Sequence, residues 1–327
     1  MNALPSAPDW RTLLPWTRWL SNYDARTLQR DALAGITLAA YAIPVSMAYA
    51  SLAGLPPHHG IYGYLCGGLF YALFGTSRQL AIGPTSAVAM LVGATVAGMA
   101  EGDAARWLAI ASLTALMVAL LCVAAWLLNL SALVSFISET ILVGFKAGAA
   151  LTIAMTQLPK LFGVAGGGDH FFERLWTLLG QLGQTNLIVL ALGLAAFALL
   201  LLGDRFLPNR PISLFVVALA TAVVSLTSLT DNGVATVGVL PAGLPDLSVP
   251  SVRWRDVDGI LPLSGACFLL AYIEGISAAR TLAAKNDYTI SPRQELLALG
   301  MANLAAGLGQ AFPVAGGLSQ SAVSRQI

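Results

Sequence analysis

The sequence predicts an all-α protein that crosses a membrane many times, and three observations carry that reading. Hydrophobic residues make up 57% of the chain and charged residues only 10%, where a soluble domain carries about 25% charged. Mean hydropathy is +0.76. Apolar runs close to the roughly 20 residues that cross a bilayer recur along the chain, parted by short polar connections. This composition argues against a soluble enzyme. The net charge of +1, with Lys and Arg spread over loops, points to no nucleic-acid partner.

Residues 1–30 are polar, with Trp10, Trp16 and Trp19 near basic residues, as expected of a segment at the lipid headgroups. Membrane segments are expected at about 33–53, 60–75, 84–100, 107–128, 133–158, 186–203, 212–229, 259–282 and 295–310, with a last one opening near 317. A cytoplasmic N-terminus puts ten basic residues inside, among them Arg26, Arg30, Arg78 and Arg280, and five outside. The positive-inside rule favours that orientation in the cell's inner (plasma) membrane. The two longer connections, 159–185 and 230–258, then face outward. The first carries a glycine run before an amphipathic stretch, and neither reads as a soluble domain.

Smaller features are read structurally. Cys66, Cys122 and Cys267 sit inside apolar runs and show neither disulfide nor metal spacing. His58 and His59 lie in a short outer turn and are expected to be solvated. The pairs Gly63/Gly67 and Gly144/Gly148 suggest close helix packing. Lys146 and Glu139, two turns apart, suggest a structural intramembrane ion pair. No HExxH, GxSxG or P-loop occurs, so neither an enzyme nor a cofactor or metal is expected.

Two interruptions carry the functional reading. In AIGPTSAVAM (81–90) the Gly83-Pro84 pair stops a continuous helix inside an apolar run. Backbone groups freed in hydrocarbon cost several kcal/mol each unless protein or a water-filled cavity receives them. Pro84 fits the first turn of a helix that starts mid-membrane. Such a start aims free N–H groups, as far as Ala87, and the positive dipole end at an anion, with the Thr85 and Ser86 hydroxyls beside them. AFPVAGGLSQSAV (311–323) repeats the plan with Pro313, Gly316, Gly317 and Ser319. A weak internal echo, Tyr41/Tyr272 and Ser46/Ser277, joins segments that the charge count runs in opposite directions, as in carriers built from inverted halves. Two half-helix N-termini would then converge near the midplane. The alternative is that Gly and Pro merely kink packed helices.

Glu274 lies deep inside LSGACFLLAYIEGISAAR, where a carboxylate needs a partner, a proton or a cation. Ser277 stands one turn on. Glu274, with Ser277 as helper, is read as a coupling site for H⁺ or Na⁺, the alternative being a structural carboxylate.

The chain resembles the sulfate permease (SulP) family of inorganic anion transporters in DALAGITLAAYAIPVSMAYASLAGLPPHHGIYGYL, YALFGTSRQLAIGPTSA, AYIEGISAARTLAA and NLAAGLGQAFPVAGGLSQSAV. That resemblance implies an inverted-repeat fold of seven plus seven segments, split into a core and a gate that moves elevator fashion. The domains become an interfacial segment (1–30), a first repeat (31–229), an outer loop (230–258) and an incomplete second repeat (259–327), with no STAS domain. The family's anion site falls on Thr85, Ser86, Gly316, Gly317, Ser319 and neighbouring amides, and its coupling acid on Glu274. Sulfate leads bicarbonate and chloride as substrate, although Val45 stands where many members carry glutamine. A homodimer is the family's assembly. The sequence stops just inside segment ten, so a truncated carrier that transports poorly alone is expected. A nucleobase carrier of the same architecture, an uncoupled channel and a non-transporting subunit are the competing readings.

Overall fold

A computed structural model describes residues 14–20, 23–131, 139–168, 170–207, 212–238, 240–317 and 320–321. The side chains of Glu139 and Lys146 lie outside this description, and so does the expected pair between them. The chain folds as two compact units, residues 1–137 with 241–327, and residues 138–240. Early and late segments therefore build the first unit together.

Three helices of the first unit begin where a side chain receives orphan N–H groups. A short α1 (Trp16–Leu20) precedes α2 (Ala25–Leu52), which Asp24 caps by accepting from the Thr27 N–H at 2.8 Å. That cap starts α2 ahead of its apolar run. Next come α3 (His58–Phe74), the two-residue β1 (Ile82–Gly83), α4 (Ser86–Ala100) and α5 (Ala104–Leu127). Asp103 caps α5 through the Ala105 and Arg106 N–H groups. In the second unit lie α6 (Glu139–Phe162), α7 (Phe171–Gln181), α8 (Leu187–Phe206) and α9 (Ile212–Leu226). Back in the first, α10 (Val257–Lys285), α11 (Pro292–Leu308) and β2 (Ala315–Gly316) follow. Pro292 opens α11 under a Ser291 cap, at a position where its missing N–H costs nothing.

The first unit's core is made of small residues at helix crossings. α11 lies against α5 and α3. A Cβ on Gly300 would stand 3.0 Å from the Cys122 Cβ, and one on Gly307 2.9 Å from the Ser112 carbonyl oxygen, so the helices meet almost backbone to backbone. Cys122 and Cys267 are buried and Cys66 half-buried, and all three are free thiols.

α2, α5 and α10 with its leading turn are each long and apolar enough to cross a membrane. α4 and α9, at 15 residues each, reach only about 22 Å. In the second unit the chain bends by 116° between residues 171–184 and α8. Phe172 and Trp176, one turn apart on α7, are exposed, as the amphipathic pattern there led one to expect.

At the start of α5, Arg106 bonds Asp256 at 2.5 Å, with both side chains buried. Removing one partner of such a pair strands a buried charge. Arg106→Ala is expected to cost about 3–5 kcal/mol, and Arg106→Met with Asp256→Leu much less, as read by denaturant unfolding in micelles. Equal losses in the two variants would mean that packing around Arg106, rather than charge, decides the stability.

Candidate functional site

The two interruptions of the sequence meet in space. β1 and β2 pair antiparallel, Ile82 opposite Gly316 and Gly83 opposite Ala315. Pro84 and Pro313 flank them and cannot donate, and the short ladder gives the freed backbone between them a partner. The Gly317 N–H also donates to the Ala81 carbonyl at 3.4 Å. A helix start follows β1, and helical residues are described after β2 at Gln320 and Ser321.

The first of these is α4. Thr85 is its N-cap, in extended conformation, and the Ala89 N–H donates to the Thr85 carbonyl at 2.9 Å. Helix geometry leaves the N–H groups of Ser86, Ala87 and Val88 without an intrahelical acceptor. The Thr85 hydroxyl does not cap the helix; it is buried and bonds no protein group. The Tyr64 hydroxyl is likewise buried without a partner, and its ring lies against Gly83 so closely that any Cβ there would overlap it. From α2, the Tyr49 side chain bonds Ser86.

The second start is described at Gln320 and Ser321. The Ser321 hydroxyl donates to the Gly317 carbonyl at 2.7 Å and accepts from the Ala81 N–H at 2.9 Å. Gln320 is buried; its Nε2 donates to the Pro84 carbonyl at 2.6 Å, while its Oε1 bonds no protein group. The breaks thus hold each other through side chains as well as backbone. A buried polar atom left without a partner costs about 1–3 kcal/mol. The Thr85 hydroxyl and the Gln320 Oε1 are two such atoms at the breaks.

The sequence signature described as the sulfate permease family matches residues 28–327. The chain belongs to the sulfate permease family. It is 37% identical over 302 residues to the probable sulfate transporter Rv1739c of Mycobacterium tuberculosis, covering 92% of this chain and 54% of that one. To the chloroplastic sulfate transporter 4.1 of Arabidopsis thaliana it is 32% identical, over 97% of this chain and 48% of the other. Its fold is similar to the transmembrane domain of the cyanobacterial bicarbonate transporter BicA, with TM-score 0.82 and 25% identity over 93% of this chain and 78% of that one. Murine Slc26a9, an anion transporter, shares the fold at TM-score 0.89 and 23% identity, over 99% of this chain and 58% of that one. These relatives are transporters rather than enzymes, in line with the missing catalytic signatures. The chain spans about half the length of the curated relatives it matches.

Most of the residues expected of this sulfate permease family member gather at the breaks. Thr85, Ser86, Ala87, Gly316 and Gly317 stand at the paired strands and the helix start beside them. Ser319 lies outside the described residues. Gly275, next to Glu274 on α10, lies against the second break: a Cβ on Gly316 would stand 2.9 Å from the Gly275 Cα. Ser277 is exposed, and its carbonyl accepts from the Thr281 hydroxyl. The stripe Gly63/Gly67 does serve close packing, but against the breaks: Cβ atoms there would lie 3.4 Å from Pro84 and 2.9 Å from Val314.

Two expectations are corrected. His59 is buried rather than solvated, because the first turn of α3 docks under the turn after α11, its Nδ1 2.5 Å from the Gln310 carbonyl oxygen. A Cβ added to Gly144 or Gly148 would meet no described atom within 4 Å, so close packing is not seen there.

Sequence reasoning passed over two polar residues of α11. Asn303, fully buried, accepts from the Val314 N–H and donates to the Val314 and Leu299 carbonyls, all at 3.0 Å. Glu295 holds the turn before β1. Asn303 was visible as a lone polar residue in the apolar part of α11, whereas Glu295 sits in the polar first turn after Arg293 and Gln294. Among the described residues no cluster of His, Cys, Asp or Glu could hold a metal. A cavity of about 340 Å³ between α8 and α9 is walled by Leu199, Leu202, Phe206, Ile212 and Phe215 and gives an anion no polar partner.

Proposed function

We propose that this chain forms the anion-binding part of a secondary transporter for a small inorganic anion, sulfate before bicarbonate or chloride, held between two opposed half-helix N-termini. One observation carries the reading: the two proline-bounded breaks pair as β1 and β2 beside a buried Thr85 hydroxyl with no protein partner. Free amides at a helix start and a hydroxyl donor suit an anion that brings its own charge, with no basic side chain needed. Glu274, half-buried beside the Gly275 contact, couples transport to H⁺ or Na⁺, with Ser277 its expected helper. The chain enters the inner (plasma) membrane with its N-terminus in the cytoplasm, works as a homodimer, and moves its anion site against a gate, elevator fashion. The two inverted repeats run over 31–229 and from 259 onward.

The test is sulfate and bicarbonate uptake into proteoliposomes by this chain, with and without H⁺ or Na⁺ gradients. Thr85→Val is expected to weaken sulfate uptake by about 10- to 100-fold, the worth of one hydrogen bond to a charged group. Glu274→Gln is expected to remove the gradient dependence and leave sulfate binding in place. Uptake of uracil without sulfate would replace this reading by a nucleobase carrier.

A further inference from the structure

Glu295 stands in the first turn of α11, only 4% exposed. Its Oε2 accepts from the Tyr71 hydroxyl at 2.6 Å. Its Oε1 accepts three bonds, from the Thr76 N–H at 2.8 Å, the Thr76 hydroxyl at 2.5 Å and the Ser77 N–H at 3.1 Å. Every donor belongs to the end of α3 or to the turn that leads from it into β1. The neighbouring Gln294 grips the same stretch, its Nε2 donating to the Phe74 carbonyl at 2.9 Å. A buried carboxylate is stable here because four donors replace its water. Few residues separate Ser77 from β1, and Glu295 lines with Leu80 and Ile82 a cavity of about 10 Å³, room for one water at most. The turn cannot slide without breaking these bonds.

We infer that Glu295 is a positioning residue for the anion site: it anchors the turn 75–81, through that turn β1, and so the register in which the two helix starts face the anion. It does not touch the anion. The inference rests on the anion-binding reading above and adds a residue outside the breaks. The negative charge serves only as a set of acceptors, so glutamine can replace it. In Glu295→Gln one oxygen still accepts from Thr76 and Ser77, and the Tyr71 hydroxyl can accept from the new amide.

The test uses the full chain purified in micelles, with radiolabelled sulfate binding and amide hydrogen exchange read side by side. Glu295→Ala is expected to raise the sulfate Kd at least about 10-fold and to speed exchange at residues 76–88 by a similar factor, leaving α5 unchanged. Glu295→Gln is expected to stay within about threefold of the unsubstituted chain in both readouts, a rescue that sets hydrogen bonding apart from charge. Thr76→Val and Tyr71→Phe, each deleting one donor, give smaller shifts in the same direction and serve if the alanine variant does not fold. An unchanged Kd in Glu295→Ala, or a glutamine variant as impaired as the alanine one, would overturn the inference. If the unsubstituted chain binds no sulfate, the anion reading fails instead, and exchange at 76–88 decides: acceleration in alanine with restoration in glutamine supports positioning, and no change refutes it.

Discussion

Asn303→Leu is expected to lower stability by about 2–6 kcal/mol. Asn303 is fully buried, and its three hydrogen bonds satisfy both backbone groups of Val314, the residue between Pro313 and β2. The N–H and C=O of Val314 lie outside any helix, so leucine strands them where water does not reach, at about 1–3 kcal/mol each. Hydrocarbon offers no alternative partner. Asn303→Asp keeps the acceptor for the Val314 N–H but sets a buried carboxyl group against the Val314 and Leu299 carbonyl oxygens, so it should cost at least as much as leucine. Denaturant unfolding in micelles reads the series. A loss under about 1 kcal/mol for leucine would mean that water replaces the amide and that the second break is wetter than its burial implies.

Gly316→Ala is expected to weaken sulfate binding at least about 10-fold while costing about 1–3 kcal/mol of stability, the usual range for overpacking. The added methyl would stand 2.9 Å from the Gly275 Cα and 3.0 Å from a Leu80 methyl. Leu80 can change rotamer, but the backbone of α10 has nowhere to go. β2 must therefore lift from α10, which disturbs its register with β1 and the facing of the two helix starts. Gly98→Ala is the control, because it lies in α4, the helix that starts just after β1, and a Cβ there meets nothing within 4 Å. It should be neutral or stabilising by about 0.5–1 kcal/mol, since alanine suits a helix interior better than glycine. Normal sulfate binding by Gly316→Ala would show that the strand pairing is not what sets the site.

What the sequence disclosed and what it hid follow from the range of the interactions. Gly83-Pro84 and the polar run after Pro313 act on their own backbone, so the helix breaks could be read locally. That the breaks face each other came from an orientation argument based on loop charges, and the β1–β2 pairing agrees with it. The contacts of Asn303 with Val314 and of Glu295 with Thr76 depend on where α11 passes, 11 and 219 residues along the chain from their partners. A lone Asn in an apolar helix announces that a partner exists without naming it, and Glu295, in the polar first turn after Arg293 and Gln294, announces even less. His59 misled for the same reason: its short turn looked exposed, and a carbonyl 251 residues away buries it. Gly63 and Gly67 signalled close approach correctly and could not say to what.

The ladder of β1 and β2 also bears on how the protein is made. Ala81 and Ser321, which bond beside it, are 240 residues apart. At about 5–20 residues per second of synthesis, the ribosome needs on the order of 10–50 s to deliver the second strand after the first. Through that interval the Ile82 and Gly83 backbone has no strand to pair with, and α4 begins beside an unfilled gap. The nascent chain must wait in the translocon or the bilayer with its first break shielded by something other than its final partner. The paired breaks are therefore among the last features of the first unit to form, well after the helices on either side of β1 have been made.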